Sequence, residues 1–212
     1  MGSHLRSLVV IVLTLLLLTA GAGVMLLVSV VTLFRARRFC AEVIAPPLAH
    51  AMLWLAGVKL VVRQSEPFPT TQTIYVANHT SSLDLFILIA LRLPNARFFL
   101  KRKFLLLLPL GVIAWLLGTF FTPPQTDRSK RVACFEAAER TLRRTGDSVF
   151  LSPEGTRVTT GEIGHFNKGT FHLATNLHVP IVPIFIDIPA AINPGKGIST
   201  AAGTVTVDIK PA

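Results

Sequence analysis

A histidine and an aspartate five positions apart, His79 and Asp84, stand in the run Asn78-His79-Thr80-Ser81-Ser82-Leu83-Asp84. On one continuous helix that spacing turns the two side chains away from each other. The run, however, follows Thr73–Ala77, which reads as a short buried strand, and leads into Leu83–Leu93, an apolar stretch that reads as a helix. With His79 in the intervening turn and Ser81 or Ser82 capping the helix, Asp84 can reach back to the imidazole. The carboxylate would then fix the ring's tautomer, leave its other nitrogen as a base and stabilise the imidazolium that forms. This is the base-and-orienter half of a catalytic triad without a nucleophile, so the group it activates must be a hydroxyl of the substrate. Taken alone, the segment also allows a plainer role, in which His79 closes a turn and Asp84 offsets the positive end of the helix.

A second polar segment, Ser152-Pro153-Glu154-Gly155-Thr156-Arg157, comes directly after the strand-like Val149–Leu151. Gly155 permits a tight turn, and the guanidinium of Arg157 offers a planar fork suited to phosphate. A surface turn with a solvated Glu–Arg pair is the competing interpretation. Other chemistries have less footing. Cys40 and Cys134 stand alone, without CxxC pairs or histidines at metal spacing, so no metal site is expected. The nearest approach to a nucleophile elbow is Gly197-Ile198-Ser199-Thr200-Ala201, and Gly195-Lys196-Gly197 lacks the Ser or Thr that a phosphate loop needs after its lysine.

The elements that must position these residues alternate along the chain. Arg97–Leu100, Ile181–Ile186 and the alternating Thr204–Lys210 join the two strands already named. Ser129–Arg144 carries Val132, Phe135, Ala138 and Leu142 at helical spacing and ends at Thr145-Gly146, and Lys168–Asn176 reads as a shorter helix. Strands separated by helices predict an α/β domain. Ser65–Gln72, with Pro67 and Pro69, is linker-like, and no internal repeat is present.

At 212 residues the chain holds one domain plus an accessory segment, which excludes multidomain machinery. It is 51% apolar and only 15% charged, against about 25% charged in soluble domains. Its 21 basic and 11 acidic residues leave a net +10. Together these favour a membrane phospholipid surface over nucleic acid as the anionic partner. Leu8–Phe34 gives 27 uncharged, mostly aliphatic positions, enough for one membrane helix across a hydrocarbon core of roughly 30 Å. Arg6 precedes it, whereas Arg35, Arg37 and Arg38 follow, so the remainder is expected on the cytoplasmic side. The run exceeds the roughly 7–15 residues of a signal-peptide core. Gly21-Ala22-Gly23 within it could kink the helix or offer a close-packing face, but lipid-facing filler is the favoured reading, and Arg6 spoils a myristoylation signal at Gly2. Val43–Val62, with Pro46-Pro47, His50, Trp54 and Lys59, reads as a helix lying at the interface. Phe104–Phe121 has eighteen residues without a charge, long enough for a second span. Pro109 and Gly111 interrupt it, and a crossing there would separate the two polar motifs, so a buried or membrane-dipping helix is favoured. The expected division is an anchor over 1–38, an interfacial helix over 39–66 and a catalytic domain over 67–212.

Taken together, the blocks resemble the 1-acylglycerol-3-phosphate acyltransferases, the lysophosphatidate acyltransferases and their glycerolipid relatives. The likeness runs over roughly Thr73–Lys210. NHTSSLD is similar to the family's NHxSxxD block and SPEGTR to its FPEGTR block; His165-Phe166-Asn167-Lys168-Gly169-Thr170 resembles its Phe-Lys-x-Gly stretch, and Val179–Ile184 its VPIVPV block. The resemblance implies a mixed sheet flanked by helices, preceded by the membrane helix and the interfacial helix. It implies a membrane-bound enzyme that moves a fatty acyl group from acyl-CoA or acyl carrier protein to the sn-2 hydroxyl of lysophosphatidate, forming phosphatidate in phospholipid biosynthesis. No cofactor, metal or covalent intermediate is implied. His79 corresponds to the base that deprotonates the acceptor hydroxyl and Asp84 to its orienting partner. Glu154, Gly155, Thr156 and Arg157 correspond to the acceptor-binding block, with Arg157 on the phosphate. The family's Gly-x-x-Phe-[Ile/Val]-x-Arg block begins at Gly118, but Pro124 stands where the arginine belongs and Arg128 lies four residues later, so either a four-residue insertion bulges out and Arg128 still reaches the phosphate, or Lys130 or Arg131 substitutes, or the contact is lost. Phe104 also replaces a common acidic residue, and the chain stops at Ala212 where relatives commonly continue. The cations at Arg97–Lys103, Arg128–Arg131 and Arg157 are expected to form a docking surface for anionic lysolipid and acyl donor around His79. Another lysolipid, such as lyso-ornithine lipid or a lysophospholipid, is the alternative acceptor. From a different class, a non-enzymatic basic protein that binds membrane lipid is a third possibility.

Overall fold

All five strands read from the sequence lie in a single sheet, joined by two more, in the computed structural model, which describes residues 2–159, 164–193 and 201–212. The strands are β1 (Val58–Gln64), β2 (Ile74–Ala77), β3 (Ala96–Lys101), β4 (Phe120–Thr122), β5 (Ser148–Leu151), β6 (Ile181–Asp187) and β7 (Gly203–Ile209). Their spatial order is β1-β7-β6-β2-β5-β3-β4, and every neighbouring pair is parallel except β6 with β7. The helices are α1 (Gly2–Val31), the single turn α2 (Arg37–Phe39), α3 (Ala45–Leu55), α4 (Asp84–Ala90), α5 (Leu110–Leu116), α6 (Arg128–Thr145) and α7 (Gly169–Leu177). A π-helical turn, Cys40–Ile44, joins α2 to α3. The Gly195–Gly197 triplet, and most of the Gly197–Ala201 run, lie outside the described residues.

A parallel sheet must be covered on both faces, and the central strands show it. Along β2, Tyr75 and Ala77 enter one core with Leu53 of α3 and Ile87 and Leu88 of α4. Ile74 joins Val149, Leu151, Leu142 of α6 and Leu173 of α7 on the opposite face. Helix α6 ends as read, with Gly146 at φ +65° donating its N–H to Leu142 O.

Two long apolar stretches fold differently from the expectation. Val43–Val62 is not one interfacial helix: α3 stops at Leu55, Gly57 turns the chain at φ +75°, and β1 pairs with β7 along its whole length. Its β-branched valines suit a pleated edge, where exposed Lys59 and Arg63 discourage further pairing. Phe104–Phe121 is neither a span nor one helix. A 3₁₀ turn, Arg102–Leu106, precedes α5, whose seven residues cover only about 10 Å, and β4 follows.

Among the described residues one helix is long and apolar enough to cross a membrane, with Leu8–Val31 as the candidate span. Large side chains of its first half, including Leu8, Val12 and Leu16, are exposed, whereas Leu18, Ala22 and Met25 pack with Met52 of α3 and Ile113 and Leu116 of α5. The filler reading of Gly21 is therefore corrected. A Cβ there would stand 2.6 Å from Leu48 Cδ2, so the glycine admits α3 against α1, while Gly23 faces open space.

Two of the arginines after α1, Arg37 and Arg38, are tied to the sheet. Asp147, at the start of β5, is buried and receives Arg37 Nη2 at 2.7 Å, Arg38 Nη2 at 3.2 Å and Arg97 Nε at 2.6 Å. Arg37 also donates to Asn95 Oδ1, whose own backbone N–H donates to Glu42 of the π-helical turn. Burial alone would raise the Asp147 carboxyl, but the Arg97 hydrogen bond and the charges of Arg37 and Arg97 hold it below the usual aspartate range. Arg97 is thereby removed from the expected docking surface. Gly118, at φ +71°, accepts from Arg97 Nη1 through its carbonyl, and a Cβ there would strike that same nitrogen.

Candidate active site

Because β6, β2, β5, β3 and β4 run parallel, their carboxyl ends form one rim, the usual place for a ligand in an open α/β sheet. His79 follows β2, Ser152–Arg157 follows β5, Lys101–Lys103 closes β3, and Pro123–Arg128 follows β4. The chain order of these motifs is thus converted into one neighbourhood.

The turn after β2 is fastened first by Asn78. Its Nδ2 donates to Ile186 O at 2.9 Å and its Oδ1 accepts from Ile186 N at 2.8 Å, which ties the loop to β6. His79 Nδ1 lies 2.8 Å from Asp84 Oδ2. The same oxygen accepts the backbone N–H groups of Thr80 at 2.9 Å and Ser81 at 3.0 Å. Asp84, the first residue of α4, is 3% exposed and His79 35%. A carboxylate with three donors on one oxygen is held in place, and it accepts the hydrogen bond from Nδ1–H, the tautomer that leaves the lone pair on Nε2. The expected serine cap is not what forms: Leu83 occupies the N-cap, and Ser81 Oγ instead accepts from Leu83 N at 3.0 Å, tightening the turn ahead of the helix.

The segment after β5 holds the histidine from behind. Glu154 is buried, with Oε2 accepting from His79 N at 2.8 Å and Oε1 from Gly164 N at 3.0 Å. Val158 N donates to His79 O at 2.8 Å, so both backbone groups of His79 are held by this segment. Gly155 turns at φ +66°, and a Cβ there would come within 3.0 Å of Asn167 Nδ2. That amide donates to the carbonyls of Pro153 and Glu154, both at 3.0 Å. Thr156 is half-buried, and Arg157 is exposed beside Val158. Arg128 opens α6 at the same rim and is exposed, while Lys130 pairs with the capping Asp127 at 2.6 Å. The segment between β4 and α6 passes beside the turn, since Gln125 Nε2 would lie 3.5 Å from a Cβ on Gly155.

Asn78 and Asn167 were not assigned roles from the sequence. Both lie within motif blocks, and an asparagine at a strand end or tight turn is the available signal. Among the described residues no group of three or more His, Cys, Asp or Glu side chains is placed to hold a metal. Burial pushes both cysteine thiols up and the Tyr75 phenol up to about 12, which keeps them protonated near neutrality and unsuited to act as nucleophile or base.

Glu154→Gln tests the positioning role of that carboxylate. An amide in either orientation presents NH₂ to one of the two N–H donors, so one bond is lost. We expect a cost of about 1–3 kcal/mol in denaturant unfolding. Turnover should fall by up to about 10²-fold with KM little changed, as a displaced base would give.

The model of the Acyltransferase family matches residues 59–187, more than half of the chain, from within β1 to the end of β6. The chain belongs to the acyltransferase family. The resemblance read from four short blocks is thereby confirmed, and the match contains both the His79–Asp84 pair and the Glu154–Arg157 turn of this acyltransferase. It is 34% identical over 139 residues to the 1-acyl-sn-glycerol-3-phosphate acyltransferase beta of Homo sapiens, covering 66% of the chain and 50% of that protein. It is 28% identical over 216 residues to the 1-acyl-sn-glycerol-3-phosphate acyltransferase of Saccharomyces cerevisiae, covering 98% of the chain and 68% of the yeast protein. The chain spans about half the length of the mammalian relatives it matches. In structure it is similar to the 1-acyl-sn-glycerophosphate (LPA) acyltransferase PlsC from Thermotoga maritima, with a TM-score of 0.76, 23% identity, and coverage of 97% of this chain and 85% of that one. That likeness supports the fold: a mixed α/β sheet flanked by helices, with an apolar helix at the N-terminus.

Proposed function

We propose that this protein is a membrane-associated acyltransferase that moves a fatty acyl group from an acyl thioester, acyl-CoA or acyl carrier protein, to the sn-2 hydroxyl of lysophosphatidate, forming phosphatidate for phospholipid biosynthesis. The observation that carries this reading is the 2.8 Å His79–Asp84 pair at the carboxyl ends of the parallel strands. His79 Nε2 takes the proton of the acceptor hydroxyl as its oxygen attacks the thioester carbonyl. The tetrahedral intermediate expels the thiolate, which recovers the proton from the imidazolium, and Asp84 stabilises the cation in between. No acyl-enzyme forms on this route, and no cofactor is consumed. Arg157 holds the acceptor phosphate, Gly155 and Thr156 shape the turn beneath it, and Glu154 holds His79 in place. Helix α1 anchors the catalytic unit to the membrane, with the rim on the cytoplasmic side.

One observation favours a second acceptor. Pro124 stands where the family pattern places an arginine, and the next basic residue, Arg128, lies four positions later at the start of α6, so the head-group site is the part that departs most from that pattern. A lysolipid with another head group would use the same dyad. A panel of lysolipid acceptors with acyl-CoA, assayed in one membrane preparation for thiol release and for product, decides among these. Thiol release matched by phosphatidate is expected. Release only with other lysolipids supports the second acceptor, and no release with any donor or acceptor refutes the enzyme reading in favour of simple lipid binding.

A further inference from the structure

We propose that the turn Leu106-Leu107-Leu108 is a second membrane contact, separate from α1, that inserts into the surface of an anionic phospholipid bilayer beside the strand-end rim. The three leucines are 84%, 52% and 72% exposed. Consecutive exposed leucines on a folded surface mark an interaction site. The turn is built to present them. Leu107 N donates to Phe104 O at 3.2 Å and Gly111 N to Leu107 O at 2.8 Å, which folds the 3₁₀ turn back onto the start of α5. Gly111 lies against the carbonyls of Phe104 and Leu105, too close for any Cβ, so the chain doubles back there and leaves the leucines outward.

Three features identify lipid as the occupant. The turn leads directly into α5, which packs on the anchor and carries its own exposed apolar residue beside it: Trp115, 55% exposed, meets Phe34 just after α1 edge-on at 5.8 Å. Lys101, Arg102 and Lys103 stand exposed immediately before the leucines, and no acidic residue occurs between Asp84 and Asp127. Cations at head-group level above apolar side chains are the pattern of a segment seated in an anionic interface. Lastly, three leucines offer only a few hundred Å², below the roughly 1,200 Å² of a stable protein interface.

The test needs no enzymatic activity. The full chain carrying Cys134→Ser receives a single environment-sensitive label at Leu107→Cys or, as control, at Arg144→Cys; Arg144 is exposed near the end of α6, on the opposite rim, and Cys40 is fully buried. In vesicles of phosphatidylcholine and phosphatidylglycerol, the label at 107 should shift to the blue, be quenched by doxyl lipids and be shielded from iodide, whereas the label at 144 should be quenched by iodide alone. Shielding at 107 should weaken in vesicles of phosphatidylcholine only, and likewise when Lys101, Arg102 and Lys103 are all changed to Gln. Equal iodide quenching at both positions would overturn the proposal. So would shielding at 107 that follows protein concentration instead of lipid, which would mark a contact between copies.

Discussion

Replacing His79 by alanine is expected to lower acyl transfer by about 10²–10⁴-fold, the usual contribution of a positioned general base. The loss should fall on kcat, with KM for the acceptor little changed, because the exposed Arg157 and the turn around Gly155 remain. The fold should survive, for a reason visible in the hydrogen bonds. Asp84 Oδ2 keeps the Thr80 and Ser81 N–H donors when the imidazole is removed, so the buried carboxylate retains partners. The backbone N–H of His79, which Glu154 accepts, is also retained in alanine. Steady-state kinetics and an unfolding curve on the same preparation check both halves. A variant that unfolds normally yet transfers acyl groups at the wild-type rate would remove His79 from the chemistry.

What could be read in advance was local. The His79–Asp84 pair lies within one strand-turn-helix, so sequence spacing and local geometry carry the same information. Helix α6 was equally readable, since its apolar period and Gly146 act within a single element. The strands that escaped did so for physical reasons. The apolar residues of β1 merge with those of α3, and only the left-handed Gly57 separates them. The three residues of β4 are too few to show a period. The inward turn of Glu154 had no local signal, because its partner is 75 positions away and the pairing of Val76 with Leu151 in adjacent strands brings them together. Arg37 has a second role that no local signal shows. Its position after an apolar run fits a topology rule, and in the folded protein its guanidinium is also mostly buried on Asp147, 110 positions along.

That cluster leads to the largest stability effect. Asp147→Ala leaves Arg37 and Arg97, 15% and 14% exposed, without their shared anion. Removing one partner of a buried ion pair costs about 3–5 kcal/mol, most of it from the cations left unpaired. Arg37 lies in the connection from α1, and Arg97 and Asp147 lie in and beside two strands of the sheet, so the lost energy is also the attachment of the anchor to the catalytic unit. The pH dependence follows from the depressed carboxyl value of Asp147. A group whose folded value lies below its unfolded value, about 3.9 for aspartate, contributes stability that is present above that value and is lost as pH falls through the folded one. The stability gap between wild type and Asp147→Ala should therefore be full at neutral pH and narrow below about pH 4. Denaturant unfolding in detergent at a series of pH values measures it. A gap that stays constant into strong acid would mean that the methylene and hydrogen-bond geometry of Asp147, and not its charge, holds the three arginines. Replacing Asp147, Arg37 and Arg97 together by apolar residues of similar size should recover much of the loss, because the cost lies in cations stranded without a counterion.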